Sequence, residues 1–448
     1  MSEEKDEQEG IRSLLKLSRQ ATPELLATNP PYIHVTKLDL PGLGLSELPD
    51  GFETSFPNLS ILFMPKNNFS EMPAVIGRME KLQMVAFKEN NMKSIHPDAL
   101  QHQLRWLILT NNQLTALPEE LGNRCHKLQK CMLSGNKLKT LPESIGRCQN
   151  LELIRLASNQ LESAPEALLS KCKKLSWVAV SDNPFTDGIA PIANVKTNIL
   201  DIDFTNDDPV LGQGAGGVTR KVKWNGTYVA VKEYGGAIGS DGLPETERRL
   251  ACAAGNLGCS ALVQVLGETK KHGALVMEYL DGFVPLAGPP SMESCSRDVY
   301  AEDHTNVLMT TSQAELLVAR LLEALAALHQ AGICHGDFYG HNILLDPNDP
   351  STVRLTDLGA AFFYDKNSDM APYFQLAELR AFTIMVQEVY EHFIVKKNQE
   401  DSPMLKGLIA HLQKEITSEG PLPTLDSILI WVKQKQLTSI AADFKVDD

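Results

Sequence analysis

The chain has 448 residues, 43% of them apolar, with 42 basic against 56 acidic side chains and a formal net charge of −14. That apolar content supports two or three cores, and the acid excess argues against a nucleic-acid binder, because phosphate recognition needs a basic footprint. No apolar run nears the roughly 20 residues that span a bilayer.

Charge divides along the chain. Residues 1–200 hold 22 basic and 22 acidic groups, so the whole acid excess lies further on. Residues 1–34 open on an acidic, polar run from Met1 to Glu9 that lacks the basic start and apolar centre of a secretory leader. Ile11, Leu14, Leu15, Leu17, Leu25 and Leu26 then predict a helical cap on the segment that begins at Val35.

From Val35 the pattern L-x-x-L-x-L-x-x-N-x-L-x-x-L-P restarts at Leu59, Leu82, Leu104, Leu128, Leu151 and Leu175, at spacings of 24, 23, 22, 24, 23 and 24 residues. A period of this size means a stacked array in which each unit buries its apolar face on the next. The Asn of the pattern falls at Asn67, Asn90, Asn112, Asn136, Asn159 and Asn183, with Leu43 in the first repeat. A buried amide at that place can bond the backbone of adjacent coils where water cannot reach. Residues 35–200 resemble the leucine-rich-repeat family, as an array of about seven repeats. The resemblance implies an α/β solenoid whose short parallel strands line a concave face, with helical turns outside. Arg105, Trp106, Lys130, Glu152, Arg155 and Trp177 fall on variable strand positions and are expected to face a protein partner there. Cys125, Cys148 and Cys172 each precede a repeat Leu by three residues and read as small buried side chains. The eight cysteines lack zinc spacing, and reduced thiols imply a cytoplasmic protein.

A second pattern begins after residue 205. Leu211-Gly212-Gln213-Gly214-Ala215-Gly216-Gly217 is a glycine-rich loop that lets backbone amides approach a polyphosphate. Tyr228-Val229-Ala230-Val231-Lys232 is a β-branched strand ending in a cation. Leu243 to Leu250 starts a helix with two candidate partners for that cation, Glu247 by its helical register and Glu245 as the alternative. Two further strands end at Met277-Glu278-Tyr279-Leu280. Gly282 to Thr311 is a loop insertion of unknown purpose. Leu316, Leu317, Leu321, Leu322, Leu325 and Leu328 then mark an amphipathic helix. It leads into His335-Gly336-Asp337-Phe338-Tyr339-Gly340-His341-Asn342 and Thr356-Asp357-Leu358-Gly359.

In order and type these strings resemble the eukaryotic-type protein kinase family, an α+β two-lobed fold, over residues 205–440. The resemblance implies an ATP- and Mg2+-dependent enzyme that phosphorylates a protein hydroxyl, read as Ser or Thr with Tyr open, in intracellular signalling. Asp337 takes the catalytic-base position, Lys232 the phosphate-holding cation and Glu247 its partner, while Asn342 and Asp357 take the metal positions. Leu211, Gly212, Gly214, Gly217, Ala230, Glu278, Leu280 and Leu344 line the implied nucleotide site, with Met277 guarding its rear. Four departures stand out: Gly336 for Arg, Tyr339 for Lys, Leu358 for Phe, and Ala371-Pro372-Tyr373 where A-P-E is expected. Glu378 stands where the family has the Asp that holds the catalytic-loop backbone, and the tail beyond it is short. Two alternatives stay open: a pseudokinase scaffold, and a small-molecule phosphotransferase, since H-G-D-x-x-x-x-N also resembles aminoglycoside-type kinases. The missing Arg and the few acceptors after Asp357, Tyr364 and Ser368, imply control independent of activation-segment phosphorylation.

Overall fold

The computed structural model describes residues 32–189, 197–214, 216–235, 238–300, 307–418 and 421–443. The cap expected between Ile11 and Leu26, and Ala215 of the glycine loop, lie outside the described residues. The chain forms two compact units, Met1–Leu175 with Asp182–Phe185, and Ser176–Ser181 with Thr186–Asp448.

In the first unit, six three-residue strands pair in parallel: β1 (Lys37–Asp39), β2 (Ile61–Phe63), β3 (Met84–Ala86), β4 (Trp106–Ile108), β5 (Lys130–Met132) and β6 (Leu153–Arg155). Their central residues Leu38, Leu62, Val85, Leu107, Cys131 and Ile154 stand in register and are fully buried, which is the alternation a pleated strand imposes. The asparagines form the expected ladder. Asn112, for example, accepts from the Met92 amide (3.1 Å) and donates to the Phe87 carbonyl (2.8 Å). Asn136 and Asn159 bond Leu114 and Leu138 in the same way at 3.0 and 3.1 Å. The residue before each ladder Asn is left-handed: Lys66, Glu89, Asn111, Gly135, Ser158 and Asp182 have φ between 55° and 71°. Burial pushes the Cys125 and Cys148 thiols up to about 12, so these are inert packing groups.

The expected outward patch is smaller than the sequence suggested. Trp177 is 1% exposed and Arg155 3%, while Lys130 and Glu152 are also buried. Arg105 and Trp106 are half-buried. Lys130 places its ammonium 4.5 Å over the Trp106 ring, and Arg105 Nε donates to Gln129 Oε1 (2.6 Å).

The second unit includes strand β7 (Trp177–Ala179). Its small lobe is a six-stranded sheet of β8 (Ile199–Leu200), β9 (Val210–Gly214), β10 (Gly217–Trp224), β11 (Thr227–Tyr234), β12 (Val265–Thr269) and β13 (Leu275–Glu278), in the order β8-β12-β13-β11-β10-β9. Ile202, Val222, Val229, Val231, Ala274 and Val276 form its core. Helix α1 (Pro244–Gly255) starts on a proline, whose missing amide costs nothing in a first turn.

The large lobe is helical. Helix α2 (Thr311–Gln330) begins with a capping box between Thr310 and Gln313 and buries Leu317, Leu321, Leu322, Leu325 and Leu328. Leu316 is exposed, off the apolar stripe. Strands β14 (Val284–Pro285), β15 (Ile333–Cys334), β16 (Ile343–Asp346), β17 (Asp349–Leu355) and β18 (Phe362–Phe363) carry the loops of interest. Helices α3 (Ala371–Val389), α4 (Pro403–Thr417) and α5 (Leu425–Asp443) complete it. Leu425, Ile428 and Val432 of α5 are each 1% exposed.

Candidate active site

Strand pairing aims Lys232 into the small-lobe cleft: it sits opposite Thr219 on β10 and Leu275 on β13. Its ammonium forms an ion pair with Glu247 of α1 and lies 3.8 Å from Asp357 Oδ1. Glu245 is exposed, so the structure chooses Glu247. Burial works against the charge on Lys232, but Asp357 and Glu247 outweigh it and hold its pKa above the ordinary value. Burial, with Asp357 adding to it, lifts the Glu247 carboxyl to about 7 even against Lys232.

Two adjoining cavities open here. One is lined by Gly212, Gly214, Gly216, Gly217, Thr219, Lys232, Glu247 and Asp357. The other, about 400 Å³, is lined by Leu211, Ala230, Met277, Glu278, Leu280, Leu344 and Leu358, and is of the size that small-molecule sites have. A Cβ on Gly212 or Gly214 would meet no atom within 4 Å. Their bareness thus serves the cavity and not the packing. Gly217 differs, since a Cβ there would come 2.1 Å from the Glu233 carbonyl oxygen. The Glu278 amide donates to the Gln264 carbonyl (2.9 Å) and so is already engaged.

In the loop after β15, Asn342 Nδ2 donates to the Asp337 carbonyl (2.9 Å) and to its carboxylate (3.0 Å); neither residue lines the two cavities. The Thr356 amide and hydroxyl both donate to the Asn342 carbonyl at 2.9 Å, which ties this loop to Asp357. Asp357 itself is left-handed, φ 55°, an uncommon state for a non-glycine residue that active sites often hold. Below, Glu378 of α3 accepts from the Gly336 amide (2.8 Å) and meets His329 Nε2 at 2.6 Å. Burial alone would raise its pKa; the His329 contact and the Gly336 amide overcome that and hold it low. A longer carboxylate thus does the backbone-holding expected at that position.

The departures have local causes. Gly336 has φ 74°, and a Cβ would lie 2.5 Å from the carbonyl oxygens of Ala360 and Val178. No arginine fits there. Tyr339 is 4% exposed and stacks on Trp177 at 4.3 Å with planes 6° apart. Trp177 Nε1 also donates to the Phe338 carbonyl (3.0 Å). That seating is why Trp177 does not face solvent. Ala371 and Pro372 are the first turn of α3, the helix that carries Glu378, so they form no separate A-P-E element. Tyr364 is 3% exposed and bonded to Gln375 (2.8 Å) and His329 (3.3 Å), which removes it as an exposed phosphate acceptor.

Three groups near the site escaped the sequence reading: Asp241 and Thr219 in the polar cavity, and Asp298, whose carboxylate reaches the catalytic loop. Asp241 follows a glycine-rich stretch without register, and Asp298 lies in the insertion; neither has a motif.

Residues 205–389 match the family model for the protein kinase domain, and residues 102–161 that for the leucine rich repeat. The chain joins a leucine-rich-repeat region to a protein kinase domain. The chain is 30% identical over 159 residues to a putative cyclin-dependent kinase F-2 of Oryza sativa subsp. japonica, covering 33% of this chain and 44% of that one. It is 33% identical over 95 residues to a probable serine/threonine-protein kinase 2 of Plasmodium falciparum (21% and 16%). Over 106 residues it is 31% identical to the glycogen synthase kinase-3 homolog YGK3 of Saccharomyces cerevisiae (24% and 26%). The chain thus spans less than half the length of these curated relatives. Among the described residues, no helix is long and apolar enough to cross a membrane. A protein kinase domain implies ATP and a divalent metal.

Proposed function

We propose that the chain is a cytoplasmic, magnesium-dependent protein kinase that phosphorylates Ser or Thr in signalling, with a protein partner or substrate on the concave face of the repeats. The carrying observation is the convergence of Lys232, Glu247 and Asp357 on the bare glycine loop, with the residue before Asp357 tied to Asn342, which is itself bonded to Asp337. The residues fit the nucleotide and metal: apolar walls at one end, backbone amides and one cation at the other, and a hard oxygen donor from Asp357. ATP supplies the transferable phosphoryl group, and Mg2+ neutralises its charge. Asp337 accepts the proton of the attacking hydroxyl, and Lys232 steadies the phosphates as a point charge. Tyr339 cannot replace the usual lysine, so transfer is slow, by about 10- to 1,000-fold, if one transition-state donor is missing.

A second reading has one observation in its favour. Helix α3 starts at Ala371, soon after Asp357, which leaves little chain for a peptide-docking platform and suits a small-molecule acceptor. Incubation with magnesium and labelled ATP, against both protein and small-molecule panels, separates the two. Label on protein Ser or Thr, reduced in Trp106→Ala while ATP binding persists, supports the proposal. Label confined to small molecules, or protein labelling indifferent to Trp106→Ala, goes against it.

A further inference from the structure

The insertion that separates β13 from α2 is tied into the fold up to Tyr300. Its first residues, β14, pair with Leu344 and Leu345 of β16, and the Leu286 amide donates to the Ile343 carbonyl (2.8 Å). Gly288 and Val299 then bond each other in both directions, at 2.9 and 3.0 Å, so the chain turns back on itself. That return brings Asp298 under the catalytic loop. One carboxylate oxygen accepts from the Gly340 amide (2.5 Å) and the other meets His341 Nδ1 (2.8 Å), with the side chain 1% exposed. Gly340 is closely enclosed: a Cβ there would sit 3.1 Å from Ala287, Asp298 and Tyr300 alike.

A buried carboxylate is tolerated only where donors meet it, and both donors here belong to the two residues before Asn342. We propose that Asp298 is a positioning residue for phosphoryl transfer: it fixes the Gly340–Asn342 turn so that the Asn342 amide stays on Asp337. The proposal rests on the kinase reading above. It gives the insertion a purpose in a loop where Gly336 removes the usual arginine tether. Misplacing reacting groups by about 1 Å can cost on the order of 100-fold in rate, so a brace at this point controls turnover more than binding.

The test uses the full chain and magnesium-dependent ATP turnover with water as acceptor, beside amide hydrogen exchange at Gly340 without nucleotide. Asp298→Ala should lower kcat by about 10- to 100-fold while KM for ATP changes less than about 3-fold, and should speed exchange at Gly340. Asp298→Asn, which can still accept from Gly340 and donate to His341, should recover most of the loss. Wild-type turnover in Asp298→Ala overturns the proposal, as does a loss in which KM and melting temperature move with kcat, or unchanged exchange at Gly340. If wild type turns over no faster than Asp337→Asn, the kinase reading fails and the positioning role falls with it. If wild type is faster and Asp298→Ala equals it, only the present proposal fails.

Discussion

Gly336 shows how packing alone can fix the identity of one residue. With φ 74° and two carbonyl oxygens 2.5 Å from any Cβ, Gly336→Ala must move backbone and adopt a left-handed state. We expect a loss of about 2 kcal/mol or more, read as a lower melting temperature; an unchanged melt would mean the loop relaxes freely. Glu388 gives a pH signature. Burial lifts its carboxyl to about 8, with Asp298 adding to it and Arg297 and the Tyr300 hydroxyl opposing. A folded pKa raised above the unfolded value near 4.5 gives stability that is complete below that value and lost as pH rises through about 8. Melting temperature should therefore fall between pH 6 and pH 9 by more in wild type than in Glu388→Gln, and equal slopes would exclude this source. The pairing of Lys232 with Glu247 was legible in the sequence because a strand-end cation beside a helical carboxylate leaves few choices of partner. Asp298 was not, because its role depends on a return pairing between Gly288 and Val299 that leaves no periodic trace.

At the scale of elements, the repeat ladder was legible because a buried amide at a fixed period fits few architectures besides a stack of coils. The left-handed residue before each ladder Asn was not: five of the six positions are Lys66, Glu89, Asn111, Ser158 and Asp182, and only Gly135 signals the conformation. Ser158 holds φ 55°, and its buried hydroxyl has no hydrogen-bond partner. Left-handed strain costs about 1–2 kcal/mol, more than the roughly 0.5–1 kcal/mol of extra freedom that glycine loses on folding. Ser158→Gly should accordingly stabilise the array by about 0.5–1 kcal/mol in denaturant titration, and a destabilised variant would show that the hydroxyl matters. The site was legible on strands and tight loops. It was not legible at Ala371-Pro372, where a short string resembles a loop motif although proline at a helix start reads equally well.

For the whole molecule, composition allowed two or three cores, the chain forms two compact units, and the acid excess falls beyond residue 200. What composition and periodicity could not see was burial at variable strand positions. Arg155 and Trp177, read as outward-facing, are 3% and 1% exposed, so Arg105 and Trp106 remain the candidate recognition residues. The account stands on phosphoryl transfer through Asp337. The most direct test measures label transferred from ATP by wild type and by Asp337→Asn under the same magnesium and acceptor conditions. The account predicts slow, magnesium-dependent transfer that Asp337→Asn abolishes while the melting temperature holds. Transfer that survives Asp337→Asn unchanged, or wild type inactive towards every acceptor, would contradict it.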